Sequence, residues 1–315
     1  MSERSAGAEQ VAAVLAPPPV APPPRGRTHS ALLPRLLIAP AVLVVAGMAI
    51  YPSIWSLWTS LHAWFPASGI PRRWVGLDNY IDVLSSARFW NAMKNLVYYV
   101  VVGVGVEMVL GIALALALVE FVRRAWVRVA LLTLFIMPMM LAPAVVGDIW
   151  RFMFQRAGVL NYLLETVGLS AQNWTSAELG IWSVIVSDIW QWTGLTMLIV
   201  FAGRAAMPES LFEAARLDGA SWWFRTTRIT LPMLRELIII ALLLRAMDSY
   251  KLIDSLFIIT NRGAPGTSNE VTGLMAYTTA FVDFDIGTAA TITWLLGLIA
   301  LVLMRLFWIA FRSNR

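Results

Sequence analysis

Met207-Pro-Glu-Ser-Leu-Phe-Glu-Ala-Ala-Arg-Leu-Asp-Gly-Ala-Ser-Trp-Trp-Phe-Arg-Thr-Thr-Arg-Ile-Thr-Leu-Pro232 is a polar insert between two long apolar runs. Pro208 suits the first turn of a helix, where its missing N–H is no loss. Glu209 and Glu213 complement the positive end of that helix. Ala214 and Ala215 give it a smooth face, and Gly219 ends it at positive φ. Ser221 is placed to cap a second helix, Trp222–Thr230, and Pro232 restarts the chain toward the next apolar run. Helices this short are marginal alone and need a surface to lie on. Two surfaces suit them. One is the bilayer, with Trp222, Trp223 and Phe224 dipped into lipid; the other is a protein.

The rest of the chain decides the class. Of 315 residues, 59% are hydrophobic and 14% charged, against about 25% charged in soluble domains. Charge gathers between apolar runs of about twenty residues, the length that crosses a bilayer as a helix. The reading is an all-α polytopic membrane protein with six transmembrane helices: Leu36–Leu61, Leu96–Val119, Val129–Ile149, Leu179–Ala206, Leu234–Ile258 and Ile286–Phe311. Residues 1–33 form a Pro-rich tail, with Pro-Pro-Pro-Val-Ala-Pro-Pro-Pro at 17–24, and read as disordered. Residues 34–315 form the membrane domain, with 207–232 as its loop.

Orientation follows from the basic residues. One set of loops and ends carries 13 of them, including Arg25, Arg123, Arg216 and Arg315; the opposite set carries 6. Positive charge accumulates on the cytoplasmic side, so both termini and the insert are expected there. The basic excess is therefore a membrane signature, and no nucleic-acid partner is inferred. The chain has no cysteine and two histidines, which leaves no disulfide or thiolate site and too few imidazoles for a histidine metal site. His62 reads as an interfacial polar residue. No Gly-x-x-x-x-Gly-Lys-Ser/Thr loop is present, so any ATP must be bound by another chain.

Ionisable residues within spans are costly and mark function by default. In span five Arg245, Asp248, Ser249 and Leu252 share a helical face, with Lys251 and Asp254 beside it. They read either as a self-paired strip holding helices together or as a solute site, since carboxylates and amides suit sugar hydroxyls. In span four Asp188, Gln191, Trp192 and Leu195 share a face, and Trp190 and Trp192 either pack or stack on a sugar ring. Glu107, flanked by Gly103, Gly105 and Gly111, reads as one polar contact at a close helix crossing. Asp148 and Arg151 read as an i,i+3 pair.

Glu213-Ala-Ala, Gly219 six residues on, and Ile229-Thr-Leu-Pro232 resemble the signature loop of binding-protein-dependent ABC importer permeases. Asp188-Ile-Trp-Gln-Trp and Asp248-Ser-Tyr-Lys-Leu-Ile-Asp254 resemble the carbohydrate-uptake branch of that family. So does Ile259-Thr-Asn-Arg-Gly-Ala-Pro265-Gly-Thr, which departs from the branch by carrying Asn261, Arg262 and Ala264 where glycines are usual. The likeness covers about residues 36–312. It implies a type I importer permease fold in a bacterial inner membrane. It implies that Glu213, Ala214, Ala215, Asp218 and Gly219 couple to a cytoplasmic ATPase, and that Asp188, Gln191, Trp192, Arg245, Asp248, Ser249 and Leu252 line a solute path for a sugar, polyol or phosphorylated relative. The implied partners are a second homologous permease, two ATPase subunits holding ATP and magnesium, and an extracytoplasmic solute-binding protein. The chain itself then needs no cofactor and is not an enzyme. The alternative is a secondary transporter driven by an ion gradient, with Asp188, Asp248 or Asp254 as proton sites; it calls for inverted repeats, which the sequence lacks.

Overall fold

A computed structural model describes residues 32–249 and 253–312. It divides into two units between Ile54 and Trp55. The first is most of helix α1 (Leu32–Ser60). Leu37, Leu43, Val45, Met48 and Tyr51 fall on different sides of it, so it is apolar all round, as a helix that crosses a membrane is. The expected tail, 1–33, lies outside the described residues except for Leu32 and Leu33, which already belong to α1.

The second unit holds the remaining elements. A two-residue ladder pairs β1 (His62–Ala63) with β2 (Arg73–Trp74). There follow α2 (Asp78–Ser85), α3 (Ala87–Phe121), α4 (Ala125–Met140), α5 (Pro143–Met153), α6 (Val159–Thr166) and α7 (Gly180–Ala205). Beyond them lie α8 (Glu209–Leu217), α9 (Trp222–Arg225), α10 (Leu231–Ser249), α11 (Asp254–Ile259), α12 (Thr272–Phe281) and α13 (Ile286–Arg312).

Helix α3 lies along α7 as the most extensive helix pair. Gly111 makes this possible: a Cβ there would meet Thr196 at 2.6 Å, so only a residue without a side chain lets the two backbones approach. At Gly194 a Cβ would collide with the carbonyl oxygen of Phe135 on α4. One apolar core joins α3, α5, α7 and α11 through Leu96, Trp150, Ile185 and Leu256. A second joins α3, α7 and α10 through Leu118, Met197, Val200 and Leu234.

Three described helices are long and apolar enough to cross a bilayer: Leu37–Ser60, Ala87–Phe121 and Gly180–Ala205. They correspond to expected spans one, two and four. Span three is corrected. It is a pair of helices, α4 and α5, bent by 99°. Pro138 and Pro143 flank the bend, and each removes a backbone donor that a straight helix needs. Span five is also corrected. Its described helix runs to Ser249, and the non-helical Ile253, at φ −126° and ψ −51°, precedes the separate helix α11, so Leu234–Ile258 is not one continuous helix. Helix α10 carries Arg235, Glu236, Arg245 and Asp248, so composition alone does not mark it as a span. Span six is α13, whose apolar stretch is Ile286–Val302.

His62, two residues past the end of α1, is buried in the protein, its Nδ1 2.7 Å from the Trp58 carbonyl. Other details differ from expectation. Asp148 and Arg151 are exposed and do not pair with each other. In the loop after α11, Asn261 and Arg262 adopt φ of 48° and 66°, followed by Gly263 at 84°. The backbone there keeps the left-handed geometry of a glycine run although two residues bear side chains, a strained arrangement that packing must hold.

Candidate functional site

The insert folds as one short helix and the start of another. Helix α8 ends in paired bonds, Gly219 N–H to the Arg216 carbonyl at 3.1 Å and Ala220 N–H to the Ala215 carbonyl at 2.9 Å. With Gly219 at φ 77°, this is the Schellman stop. Nothing stands within 4 Å of a Cβ built on Gly219, so backbone conformation, not space, calls for glycine. Pro208 is the cap residue just outside α8, not its first turn. Ser221 caps α9, its hydroxyl accepting from Phe224 N–H at 3.2 Å.

The second helix does not stop at Pro232. It passes from α9 through a π-helical turn, Thr226–Thr230, directly into α10. The wider turn carries Pro232, whose ring would clash with the carbonyl four residues back in a regular helix.

Two arginines fasten the insert to the helix bundle. Arg204 at the end of α7 stacks on Phe212 at 3.5 Å and reaches Glu209 at 3.5 Å. Arg225 reaches Glu120 at the end of α3 at 2.7 Å and donates to the Ala220 carbonyl at 2.9 Å. What α8 leaves outward is Glu213, Ala214, Asp218 and Leu217, the last 89% exposed; Ala215 is half-buried. Trp223 and Phe224 are exposed beside them.

The second feature lies deep between α3, α7 and α10. Arg245 is 1% exposed and spends every guanidinium nitrogen on a carboxylate. Its Nε donates to Glu107 at 2.8 and 3.0 Å, its Nη2 to Asp188 at 2.7 Å, and its Nη1 to Asp248 at 3.1 Å. The Trp192 ring covers its face at 4.7 Å. Thr196 adds a hydrogen bond to Glu107 at 3.1 Å. Glu107 lies 13 residues before Glu120 on α3, so the cluster is about 20 Å from the insert end of that helix. That is near mid-depth for a hydrocarbon core about 30 Å thick.

The structure thus brings Asp188, Trp192, Arg245 and Asp248 together. Ser249 is buried with its hydroxyl on the Arg245 carbonyl at 2.6 Å. Gln191 donates to the Leu141 carbonyl at 3.0 Å. Leu141 sits at the bend between α4 and α5, so Gln191 satisfies an acceptor that the broken helix leaves free. Leu252 and Lys251 lie outside the described residues. Glu107, read from sequence as one polar contact at a close helix crossing, sits at that crossing and takes Arg245 with both of its oxygens. Its signal was available, an acid in an apolar run, but its partner stands 138 residues away.

At the opposite end of α3 from the insert, Arg88 grips the buried Glu270 with two bonds of 2.8 Å. Asn95 donates to the carbonyls of Ser268 and Glu270 at 2.7 and 2.9 Å. These bonds fix the left-handed loop that precedes α12. Beside them a groove of about 540 Å³ opens along Asn91, Lys94, Tyr98, Glu178 and Trp182. Among the described residues no group of three or more acidic or histidine side chains is placed to hold a metal ion.

Residues 107–312 match the family described as binding-protein-dependent transport system inner membrane component. The chain is 36% identical over 279 residues to a probable ABC transporter permease protein, y4oQ, of Sinorhizobium fredii, covering 87% of this chain and 88% of that one. It is 32% identical to the trehalose/maltose transport system permease protein MalF of Thermococcus litoralis, covering 84% and 89%. Its fold matches, with a TM-score of 0.77 at 22% identity, a chain of a bacterial ABC transporter that imports the acidic polysaccharide alginate, over 90% of this chain and 96% of that one.

Proposed function

The chain belongs to the family of binding-protein-dependent transport system inner membrane components, and from that premise we propose that it conducts a sugar, polyol or glycoside across the membrane. It is a multi-pass permease subunit of an ABC importer and not an enzyme. Family membership sets aside the ion-gradient alternative. In the proposed assembly a second, homologous permease completes the pathway, and two ATPase subunits supply the energy from ATP and magnesium bound on them. A solute-binding protein delivers cargo from outside. Both termini and the insert face the cytoplasm in this reading, which the arginine bias supports.

The observation that carries this reading is the insert. A marginal two-helix element has its inner side clamped by Arg204 and Arg225, while Glu213, Ala214 and Leu217 stay outward. An exposed Leu217 and a smooth alanine face are what a protein cleft accepts and water does not favour. Glu213, Ala214, Ala215, Asp218 and Gly219 are the proposed coupling residues. Above them, Asp188, Gln191, Trp192, Arg245, Asp248, Ser249 and Leu252 are the proposed path residues, with Glu107 added.

Co-purification tests the assembly. A tagged chain should retain an ATPase in mild detergent. Gly219→Val, which forces a β-branched residue to positive φ at about 1–2 kcal/mol, should lose that ATPase while the permease stays monodisperse. Retention of the ATPase and full uptake by the Gly219→Val variant refutes the coupling role. The relatives named for trehalose and maltose make those sugars the first solutes to try.

A further inference from the structure

Arg245 and Asp188, charged where a neutral-sugar site would prefer amides, made an anionic or phosphorylated solute an open reading of the sequence. The geometry points to the opposite: we infer that the solute path through α3, α7 and α10 is electronegative and passes neutral or cationic polyhydroxyl solutes while rejecting anionic sugars. This rests on the reading of these helices as a solute path.

The charge inventory is one-sided. Glu107 comes from α3, Asp188 from α7, and Arg245 and Asp248 from α10. One cation faces three carboxylates. Among the described residues no other cation pairs with any of the three. Counted with Lys251 and Asp254, which follow in the sequence, the groups are two basic and four acidic, so the excess stays negative.

Access sharpens the point. Glu107 and Asp188 are buried behind Arg245, on its Nε and Nη2 sides. The Trp192 indole covers the guanidinium face. The open side of the cluster presents the Asp248 carboxylate, whose side chain is 47% exposed, beside the half-buried Trp192. A carboxylate accepts from hydroxyl donors, and an indole face takes the C–H side of a sugar ring. A solute carboxylate or phosphate approaching there meets Asp248 first and finds Arg245 already neutralised. Arg245 therefore anchors the carboxylates that the solute meets and does not itself bind an anion. Glu107 is a positioning residue that holds Arg245 through both of its oxygens.

The chain has no cysteine, which permits a direct reading of this potential without knowing the solute. Leu244 is exposed and lies four residues before Asp248, on the same face of α10. The experiment places Leu244→Cys in the assembled transporter in membranes, with partner subunits freed of cysteines. It measures the reaction rates of two methanethiosulfonates, one bearing trimethylammonium and one bearing sulfonate. The ratio of cationic to anionic rate should exceed that of a free thiol in solution at least about tenfold, as expected for one or two unit charges a few ångströms away. Asp248→Asn should reduce that excess several-fold. Met247→Cys, also exposed, repeats the measurement should Leu244→Cys disturb folding.

A ratio equal to or below that of the free thiol overturns the inference, as does a ratio that Asp248→Asn leaves unchanged. Failure of both cysteines to react shows that this face of α10 is closed to water, and that outcome overturns the inference too. None of these results touches the ATPase co-purification, so the permease reading and the charge reading fail separately.

Discussion

Removing Arg245 is the most demanding test of the buried cluster. In Arg245→Leu the bidentate bond to Glu107 at 2.8 and 3.0 Å and the 2.7 Å bond to Asp188 vanish together. Glu107 is 0% exposed and keeps only the Thr196 hydroxyl, and Asp188 is buried as well. Breaking a buried ion pair from one side costs about 3–5 kcal/mol, because the remaining charge is stranded. Asp248 is half in solvent and adds at most about 1 kcal/mol. For a chain of this size each kcal/mol moves the melting temperature by roughly 2–4 °C, so the midpoint should fall on the order of 10 °C. Intrinsic tryptophan fluorescence of the detergent-purified complex during heating provides the readout. The triple variant Glu107→Gln, Asp188→Asn, Arg245→Gln removes every stranded charge and should recover at least half of the loss. If Arg245→Leu melts within about 2 °C of the parent, the cluster is not held as described. A triple variant no better than the single one would also refute the argument from stranded charge.

Two other substitutions probe the frame around the site. Gly111→Leu should abolish monodisperse expression, since even its Cβ would stand 2.6 Å from Thr196; normal gel-filtration behaviour would show that α3 and α7 do not cross there. Arg88→Met should destabilise by about 3 kcal/mol because it strands the buried Glu270; an unchanged melting point, or a loop 260–270 as resistant to protease as the parent's, would contradict the clamp.

Much of this architecture is legible in the residues. Periodic apolar runs mark the long helices, Gly219 marks the Schellman stop, and Ser221 marks the following cap. The charges of spans four and five, Asp188, Arg245 and Asp248, are conspicuous because hydrocarbon penalises them. What escapes the sequence is pairing over distance. Glu107 looks like a packing detail until Arg245 is brought beside it, and Glu270 draws no notice until Arg88 reaches it. The bend between α4 and α5 escaped for another reason. Hydropathy scores Pro138-Met-Met-Leu-Ala-Pro143 as apolar, while the missing N–H groups that break the helix carry no hydropathy signal. Pro232 misleads in the reverse direction, suggesting a break where a π-helical turn carries the chain through.

That turn has a mechanical consequence. Because the backbone stays helical from Trp222 to Ser249, the second helix of the insert and the buried Arg245 are two stations on a single rod. They are 23 residues apart, about 35 Å at helical rise. A tilt of about 10° at one station sweeps the other through about 6 Å, longer than any bond in the carboxylate cluster. A tilt of the Trp222 end would therefore reach Arg245 through helix backbone alone, with no relay of intermediate side chains.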